Sequence, residues 1–313
     1  MLSKPSFGYV MPPSVGADVP NPNDLWKIAE AADASDLLYL WVSDHVVWWH
    51  PMYESLTLLA AIAARTKRIH VGPAVLLLAM RNPVLAAKSL ATIHRLSGGR
   101  LAVGVGVGGE FPPEWDAVGV DLRTRARRTD EMIEALRGLW GPTPFSLKGE
   151  HISLDQVDLQ PKMDRPPPIW IGGRSDAALA RAARSGDAWM GIFLTPERYR
   201  ERLSRMREAA ASNGRDPKEI TASLYAWTCI ADTTAEAREK AGSMLGAFYN
   251  LPFSKLERFA IVGDAATCAS RFEEFAEAGV ENFAVAAITA DASTDQLDRL
   301  TTSVLPKVRG DLS

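Results

Sequence analysis

Short apolar segments and amphipathic segments alternate along almost the whole chain, and this alternation constrains the fold more than any other feature. Most of the short segments are apolar on both sides, which is typical of parallel strands that are covered on both faces. They comprise residues 7–10, 37–42, 69–75, 101–105, 169–171, 188–193, 220–230 and 282–286. Helical patterns lie between them, at residues 24–33, 54–64, 82–96, 129–140, 176–185, 196–212, 234–249 and 265–278.

Strands separated by helices predict an α/β fold, and eight strands are the number that closes a (β/α)8 (TIM) barrel. An open doubly wound sheet stays an alternative, although no Gly-x-Gly-x-x-Gly motif opens a helix after the first strand. The chain has 313 residues, which suffices for one barrel. We therefore predict one barrel domain over residues 1–313, with insertions in the βα loops: a hairpin at about 141–168 and a helical lid at about 246–261.

The composition of the chain limits which binding partners and which cellular compartment we expect. The chain has 35 Lys and Arg against 38 Asp and Glu, so its charge favours neither nucleic acid nor a membrane surface. The apolar run at residues 76–80 is too short to cross a bilayer, and residues 1–13 lack the apolar core of a signal peptide. Cys229 and Cys268 lie in separate segments without metal-ligand spacing. We expect a cytoplasmic protein without a metal site.

Polar and small residues follow the second and third predicted strands, where the carboxyl ends of barrel strands meet at one mouth. Ser43, Asp44 and His45 follow the second strand, and a carboxylate beside an imidazole can hold a proton acceptor or bind the polar edge of a cofactor. An equally good interpretation is that Asp44 caps the next segment and His45 is structural. Ala74 and Val75 end the third strand, where small residues let a flat ligand approach, unless they mark only a kink after Pro73.

Two glycine-rich segments follow the fourth and fifth strands. Residues 104–109 carry four glycines that expose backbone groups, and Glu110 follows at the rim, where an acid can act. A tight turn with a solvated carboxylate is the alternative. Residues 172–175 read Gly-Gly-Arg-Ser and lead into a helix, an arrangement that suits a phosphate group. An ordinary glycine turn with a helix cap is the alternative.

Taken in this order, the motifs resemble those of the bacterial luciferase-like monooxygenase family, and the resemblance covers nearly the whole chain. The family is a (β/α)8 barrel that binds FMN or the deazaflavin coenzyme F420 at the carboxyl ends of its strands. Within it, Asp44-His45 and Gly109-Glu110 resemble the F420-dependent branch. The matching pieces are Val42-Ser43-Asp44-His45 and residues 81–88, 96–100, 104–115, 128–131, 169–173 and 186–189.

The resemblance implies roles for individual residues. His45 corresponds to a catalytic base and Glu110 to a catalytic acid, with Asp44 at the polar edge of the cofactor ring. The Ala74–Val75 bond falls where the relatives carry a non-prolyl cis peptide, behind the central ring, and residues 172–175 would hold the phosphate. The implied cofactor-binding residues are Ser43, Asp44, Ala74, Val75, Gly106, Val107, Gly108, Gly172, Gly173, Arg174 and Ser175.

The implied function is hydride transfer between F420 and a small organic substrate, in a homo-oligomer that is a dimer in the relatives. One alternative is an FMN-dependent two-component monooxygenase that uses O2 and receives reduced flavin from a reductase. A second is a flavin- or F420-binding protein without turnover, and a third is a phosphate-handling isomerase or lyase. The basic residues that hold a sugar phosphate in some relatives have no secure counterparts, whereas Trp48 and Trp49 indicate an apolar or aromatic substrate wall.

Overall fold

A parallel sheet that is nearly closed into a barrel organises the computed structural model, which describes residues 4–15, 18–249 and 251–310. Hydrogen bonds join neighbouring strands in the order β3-β2-β1-β12-β10-β9-β8-β5-β4, and β11 pairs with β10 outside this path. The strands are β1 (Ser6–Val10), β2 (Tyr39–Val42), β3 (His70–Pro73), β4 (Leu76–Leu77), β5 (Val103–Gly106), β6 (Phe145–Lys148), β7 (Ser153–Val157), β8 (Ile169–Gly172), β9 (Ala188–Ile192), β10 (Thr221–Ile230), β11 (Ile261–Gly263) and β12 (Asn282–Ala287).

The barrel closes where the third predicted strand is divided in two. β3 pairs with β2 and β4 pairs with β5, while a parallel bridge between Val71 and Leu101 joins the two edges directly. Between β3 and β4 lies a cis peptide bond from Ala74 to Val75, as the family resemblance predicts. The predicted barrel is thus confirmed, with one strand interrupted at the mouth.

Helices surround the sheet and follow the strands in alternation. In α3, Asn82 accepts hydrogen bonds from the amides of Val84 and Leu85, and Pro83 occupies the first turn, where no amide hydrogen is needed. The chain after α3 turns at Gly98, whose φ of 67° suits glycine. The helices are α1 (Pro22–Ala34), α2 (Ser55–Arg65), α3 (Pro83–Leu96), α4 (Pro112–Ala117), α5 (Arg125–Trp140), α6 (Asp176–Ser185), α7 (Pro196–Ser212), α8 (Thr234–Tyr249), α9 (Ala265–Glu277), α10 (Asp295–Arg299) and α11 (Leu305–Val308).

Aromatic side chains fill the interior of the barrel below its mouth. The ring of Trp41 lies 5.0 Å from those of Tyr39 and Trp170. Small residues on the facing strands make room for them: a Cβ atom at Gly72 would lie 2.8 Å from Trp41 and 2.0 Å from the carbonyl oxygen of Ala102. Because this layer fills the barrel interior, we expect a ligand to bind above it, at the carboxyl ends of the strands.

The two predicted insertions have different structures. In residues 141–168, β6 and β7 pair as an antiparallel hairpin. Residues 246–261 contain the end of α8 and the 3-10 turns Phe253–Lys255 and Glu257–Phe259, and Asn250 lies outside the described residues. The assignment of the chain to one domain with these two insertions stays a prediction. In the described part of the chain, we find no helix with the length and apolar character needed to cross a membrane.

Candidate active site

A cradle of one valine and two glycines lies where β4, β5 and β8 meet the mouth. A Cβ atom at Gly106 would lie 2.4 Å from Cγ2 of Val75, and one at Gly172 would lie 2.8 Å from Cγ1. Glycine at both positions therefore lets the bulge at Ala74–Val75 fill the space between the strands. The amide of Ala74 donates to the carbonyl oxygen of Val42, which ties this bulge to the end of β2.

The loop after β2 places an imidazole beside a buried carboxylate. Nδ1 of His45 lies 3.1 Å and 3.3 Å from the two carboxylate oxygens of Glu114, whose side chain is 1% exposed. Glu114 also accepts hydrogen bonds from the amides of Val46 and Val47. Because a carboxylate only accepts, Nδ1 is assigned as the donor, and in the neutral imidazole Nε2 is then the acceptor. Among the described residues, none forms a hydrogen bond with Nε2.

Aromatic rings hold the plane of this imidazole. Trp48 stacks on His45 with ring centres 3.7 Å apart and an angle of 22° between the planes. Trp49 lies 4.4 Å from Trp48 and 4.9 Å from Phe111. The predicted aromatic wall therefore lies directly beside His45, with Trp49 half exposed at its outer end.

The side chain of Asp44, by contrast, is buried between the loops that surround the mouth. Its carboxylate accepts hydrogen bonds from the Ser55 hydroxyl at 2.6 Å and from the Leu77 amide at 2.9 Å, and it forms an ion pair with Arg81 at 2.7 Å. The side chain has no exposed surface. Protein groups thus take up both carboxylate oxygens, and the predicted contact of Asp44 with the edge of a cofactor stays a prediction.

Glu110 lies exposed on the glycine-rich loop after β5. Within the described residues it has no hydrogen bond or ion pair, but its charge acts on Tyr249 at the end of α8. Burial raises the pKa of Tyr249 well above its ordinary value, and the Tyr225 and Glu110 side chains raise it further. Glu110 lies in the loop that follows β5 at its carboxyl end, and its predicted role as an acid stays a prediction.

The remaining residues predicted to bind the cofactor lie in the loop after β5 and directly after β2. Gly108 and Gly109 have φ angles of 57° and 118°, and a Cβ atom at Gly109 would lie 3.0 Å from the Arg125 side chain. Val107 precedes them and is half-buried. Burial raises the pKa of Tyr225 in β10 to about 12, and the nearby Ser43 side chain lowers it. Ser43, after β2, thus lies beside β10, and the loop after β5 lies against the start of α5.

Residues 172–175, at the end of β8, are the segment predicted to bind a phosphate, and we call this segment the anion edge. Gly173 has a φ of 125°, and the Ser175 hydroxyl caps α6 by accepting from the amide of Ala178. The guanidinium of Arg174 lies 5.3 Å from the ring of Phe193, so this exposed cation lies at the carboxyl ends of β8 and β9. Helix amides and an arginine suit a phosphate, and this role stays a prediction.

A metal ion has no evident place in the described structure, because we find there no group of three His, Cys, Asp or Glu side chains that could hold one. Sequence reasoning missed Glu114, which lies four residues after Glu110 in the same loop region. The available signal was Pro112-Pro113, which predicts the start of a helix and thus a turn that can point Glu114 inward.

Known proteins resemble this chain over different lengths. An FMNH2-dependent dimethylsulfone monooxygenase of Pseudomonas putida is 37% identical over 191 residues, which are 59% of this chain and 51% of that protein. An F420-dependent glucose-6-phosphate dehydrogenase of Amycolatopsis mediterranei is 26% identical over 92% of this chain and 95% of that enzyme. The chain spans only 51–59% of the length of the first curated relatives that it matches.

The fold has solved counterparts too. An F420-dependent secondary alcohol dehydrogenase, solved with an F420-acetone adduct, has a TM-score of 0.85 and 22% identity over 98% of this chain and 99% of that structure. At this identity the likeness shows the fold alone. The family model described as luciferase-like monooxygenase matches residues 6–255, which is most of the sequence. The chain therefore belongs to the luciferase-like monooxygenase family, whose relatives named here include FMN-dependent and F420-dependent enzymes.

Proposed function

We propose that the protein is an oxidoreductase that binds coenzyme F420 at the barrel mouth and transfers a hydride between it and a small organic substrate. The observation that carries this proposal is the pairing of Nδ1 of His45 with Glu114, which leaves Nε2 without a hydrogen-bond partner among the described residues and able to accept a proton. Transfer of a hydride to or from a carbon that bears a hydroxyl or amine also requires transfer of a proton, and such a pair can move it.

The residues at the mouth fit a planar ring with an anionic tail. Gly106 and Gly172 leave room for the Val75 side chain, which would form the surface against which a flat ring lies. Arg174 and the first turn of α6 would hold the phosphate of the tail. When bound here, F420 would supply the two-electron hydride chemistry that protein side chains lack. Ser43, Val107 and Gly108 would line the remaining edge of the ring.

His45 performs the proton transfer in this proposal. During oxidation of an alcohol, Nε2 accepts the hydroxyl proton as the hydride leaves the carbon, and the Glu114 carboxylate stabilises the imidazolium that forms. During reduction the same atom donates the proton. Trp48 keeps the ring in plane, and the aromatic wall excludes water from the transfer. Glu110 would act as a second acid at the rim.

An FMN-dependent monooxygenase is the second candidate, and the Pseudomonas putida relative favours it. The same cradle and anion edge would accept FMN, so geometry alone does not exclude it. The proton-transfer pair at His45 argues against a third possibility, a protein that binds a flavin without turnover.

Anaerobic titration with F420 and, separately, with FMN tests the proposal. We expect F420 to bind with a Kd in the micromolar range, about −8 kcal/mol, and FMN to bind about 100-fold more weakly. Fluorescence of each ligand reports its binding directly. Equal or tighter binding of FMN would favour the monooxygenase, and a protein that binds neither ligand would contradict both candidates.

A further inference from the structure

The segment that follows β2 holds the Val75 bulge at both of its ends. At one end, the amide of Ala74 donates to the carbonyl oxygen of Val42. At the other end, the amide of Leu77 donates to a carboxylate oxygen of Asp44 at 2.9 Å. Val75 lies between these two attachment points, so its place in the cradle depends on both hydrogen bonds.

The carboxylate of Asp44 has one orientation because protein groups also occupy its other oxygen. That oxygen accepts hydrogen bonds from the Ser55 hydroxyl at 2.6 Å and from the Arg81 guanidinium at 2.7 Å. The Asp44 side chain has no exposed surface. A cofactor at the mouth therefore reaches the carboxylate only if these partners move, whereas the bond to the Leu77 amide is already formed.

The Leu77 side chain continues this attachment to the loop after β5. It is buried in one apolar cluster with Trp115. A Cβ atom at Gly108 would lie 3.0 Å from Leu77 and 3.5 Å from Trp115, so both side chains pack against this glycine. A shift of Leu77 would therefore disturb the glycine-rich loop as well as the bulge.

These contacts connect the cradle to the proton-transfer pair of His45 and Glu114. Asp44 directly precedes His45, and Trp115 directly follows Glu114. Nδ1 of His45 lies 3.1 Å from Glu114, and Leu77 packs with Trp115. The two pairs of sequence neighbours thus form a closed chain of contacts that fixes the cradle relative to His45.

We propose that Asp44 is a positioning residue: through the Leu77 amide it fixes the Val75 bulge relative to His45, and it does not itself contact the cofactor. The proposal rests on the proposed function, in which the cofactor ring lies against Val75 and His45 takes up the proton. Hydride and proton transfer depend on the relative placement of ring and base, and a misplacement of about 1 Å can slow a reaction about 10²-fold.

Amide hydrogen exchange, followed by NMR in the protein without any ligand, tests the attachment itself. Asp44→Ala should speed exchange of the Leu77 amide at least about tenfold more than exchange of the Leu224 amide in β10, which reports global opening. Asp33→Ala is the matched control, because this carboxylate accepts from the amides of residues 67–69 before β3, at the end of the barrel opposite the mouth. It should speed exchange of both amides equally. Equal acceleration of the two amides in Asp44→Ala would overturn the proposal.

The fluorescence of bound F420 separates positioning from direct contact and needs no substrate. If the bulge positions the ring, Asp44→Ala should give the bound ring more rotational freedom, seen as a faster decay of its fluorescence anisotropy, while Kd rises less than about tenfold. Asp33→Ala should leave both quantities unchanged. A rise in Kd of about tenfold or more would show direct contact with the cofactor and overturn the proposal, and so would an unchanged anisotropy decay in Asp44→Ala.

Asp44→Asn covers the case in which Asp44→Ala does not fold. Its carboxamide has a single oxygen, which accepts either from Leu77 or from Ser55 and Arg81, but not from both sides. In either orientation, exchange at Leu77 and the rotational freedom of the F420 ring must change together or stay unchanged together. A change in one without the other would contradict the positioning role.

These outcomes separate this proposal from the proposed function. If F420 does not bind while exchange at Leu77 depends on Asp44 as expected, the F420 function fails and the attachment of the bulge stands. If F420 binds with micromolar affinity while exchange at Leu77 does not depend on Asp44, the F420 function stands and the positioning role fails.

Discussion

Replacing His45 with alanine should lower turnover by about 10²–10⁴-fold and leave the affinity for the cofactor largely unchanged. The substitution removes the proton acceptor at Nε2, while the Val75 cradle and the anion edge are untouched. Single-turnover measurement of F420 absorbance reports the rate of hydride transfer, and F420 titration of the same variant reports the affinity.

Two further variants make the His45 result specific. Glu114→Gln keeps the shape of the partner but removes the charge that stabilises an imidazolium, so turnover should fall while F420 binding is kept. His94→Ala removes a half-buried histidine from α3, outside the mouth, and should leave turnover close to that of the unmodified protein. An unchanged rate in His45→Ala would remove this residue from the mechanism.

Asp44→Ala should lower the free energy of unfolding by about 3–5 kcal/mol, because it leaves a buried charge without its partner. Arg81 is 17% exposed and would retain only Glu54, whose own side chain is 46% exposed. The Leu77 amide and the Ser55 hydroxyl would also lose their acceptor in a buried place. Chemical denaturation with urea measures this loss.

A surface ion pair supplies the control for Asp44. Asp36 pairs with Arg309 at 2.9 Å, but its side chain is 81% exposed. Asp36→Ala should therefore cost less than about 1 kcal/mol. If Asp44→Ala proves as stable as Asp36→Ala but no longer binds F420, the carboxylate acts on the cofactor rather than on the wall of the mouth.

The pattern of the sequence predicts most of the barrel because most strands there are largely apolar segments bounded by polar residues or glycine. The predicted strands at 220–230 and 282–286 correspond to Thr221–Ile230 and Asn282–Ala287, and the predicted helix at 82–96 corresponds to Pro83–Leu96. The start of this helix is marked by the capping residue Asn82 and by Pro83, and its end is marked by the glycines that follow it. At such positions the local residues are sufficient to predict where a strand or helix begins and ends.

Other features depend on contacts between distant segments. The predicted strand at 69–75 is divided because β3 pairs with β2 whereas β4 pairs with β5. The residues of the segment itself do not indicate which strand each half pairs with. The short strand β11 and the helical segment from Asp295 to Val308 were not predicted, since both are too short or too irregular to show a clear period. Such elements are fixed by their neighbours.

In the candidate site, too, the sequence alone does not show which of two glutamates contacts His45. Sequence reasoning selected Glu110, which follows the glycines, whereas the structure places Glu114 on His45. The two carboxylates are four residues apart, and only the turn of α4 decides that Glu114 points inward. Likewise the ion pair of Asp44 with Arg81 depends on packing between loops that are far apart in the sequence.

A crystal structure of the protein with F420 bound would show whether the barrel mouth holds the cofactor in the proposed position. We expect the deazaflavin ring to contact Val75, Gly106 and Gly172, and the phosphate to lie at Arg174 and the first turn of α6. We also expect Nε2 of His45 to face the open side of the ring. A ring bound elsewhere on the barrel, or a mouth in which His45 is turned away from the ring, would contradict this proposal.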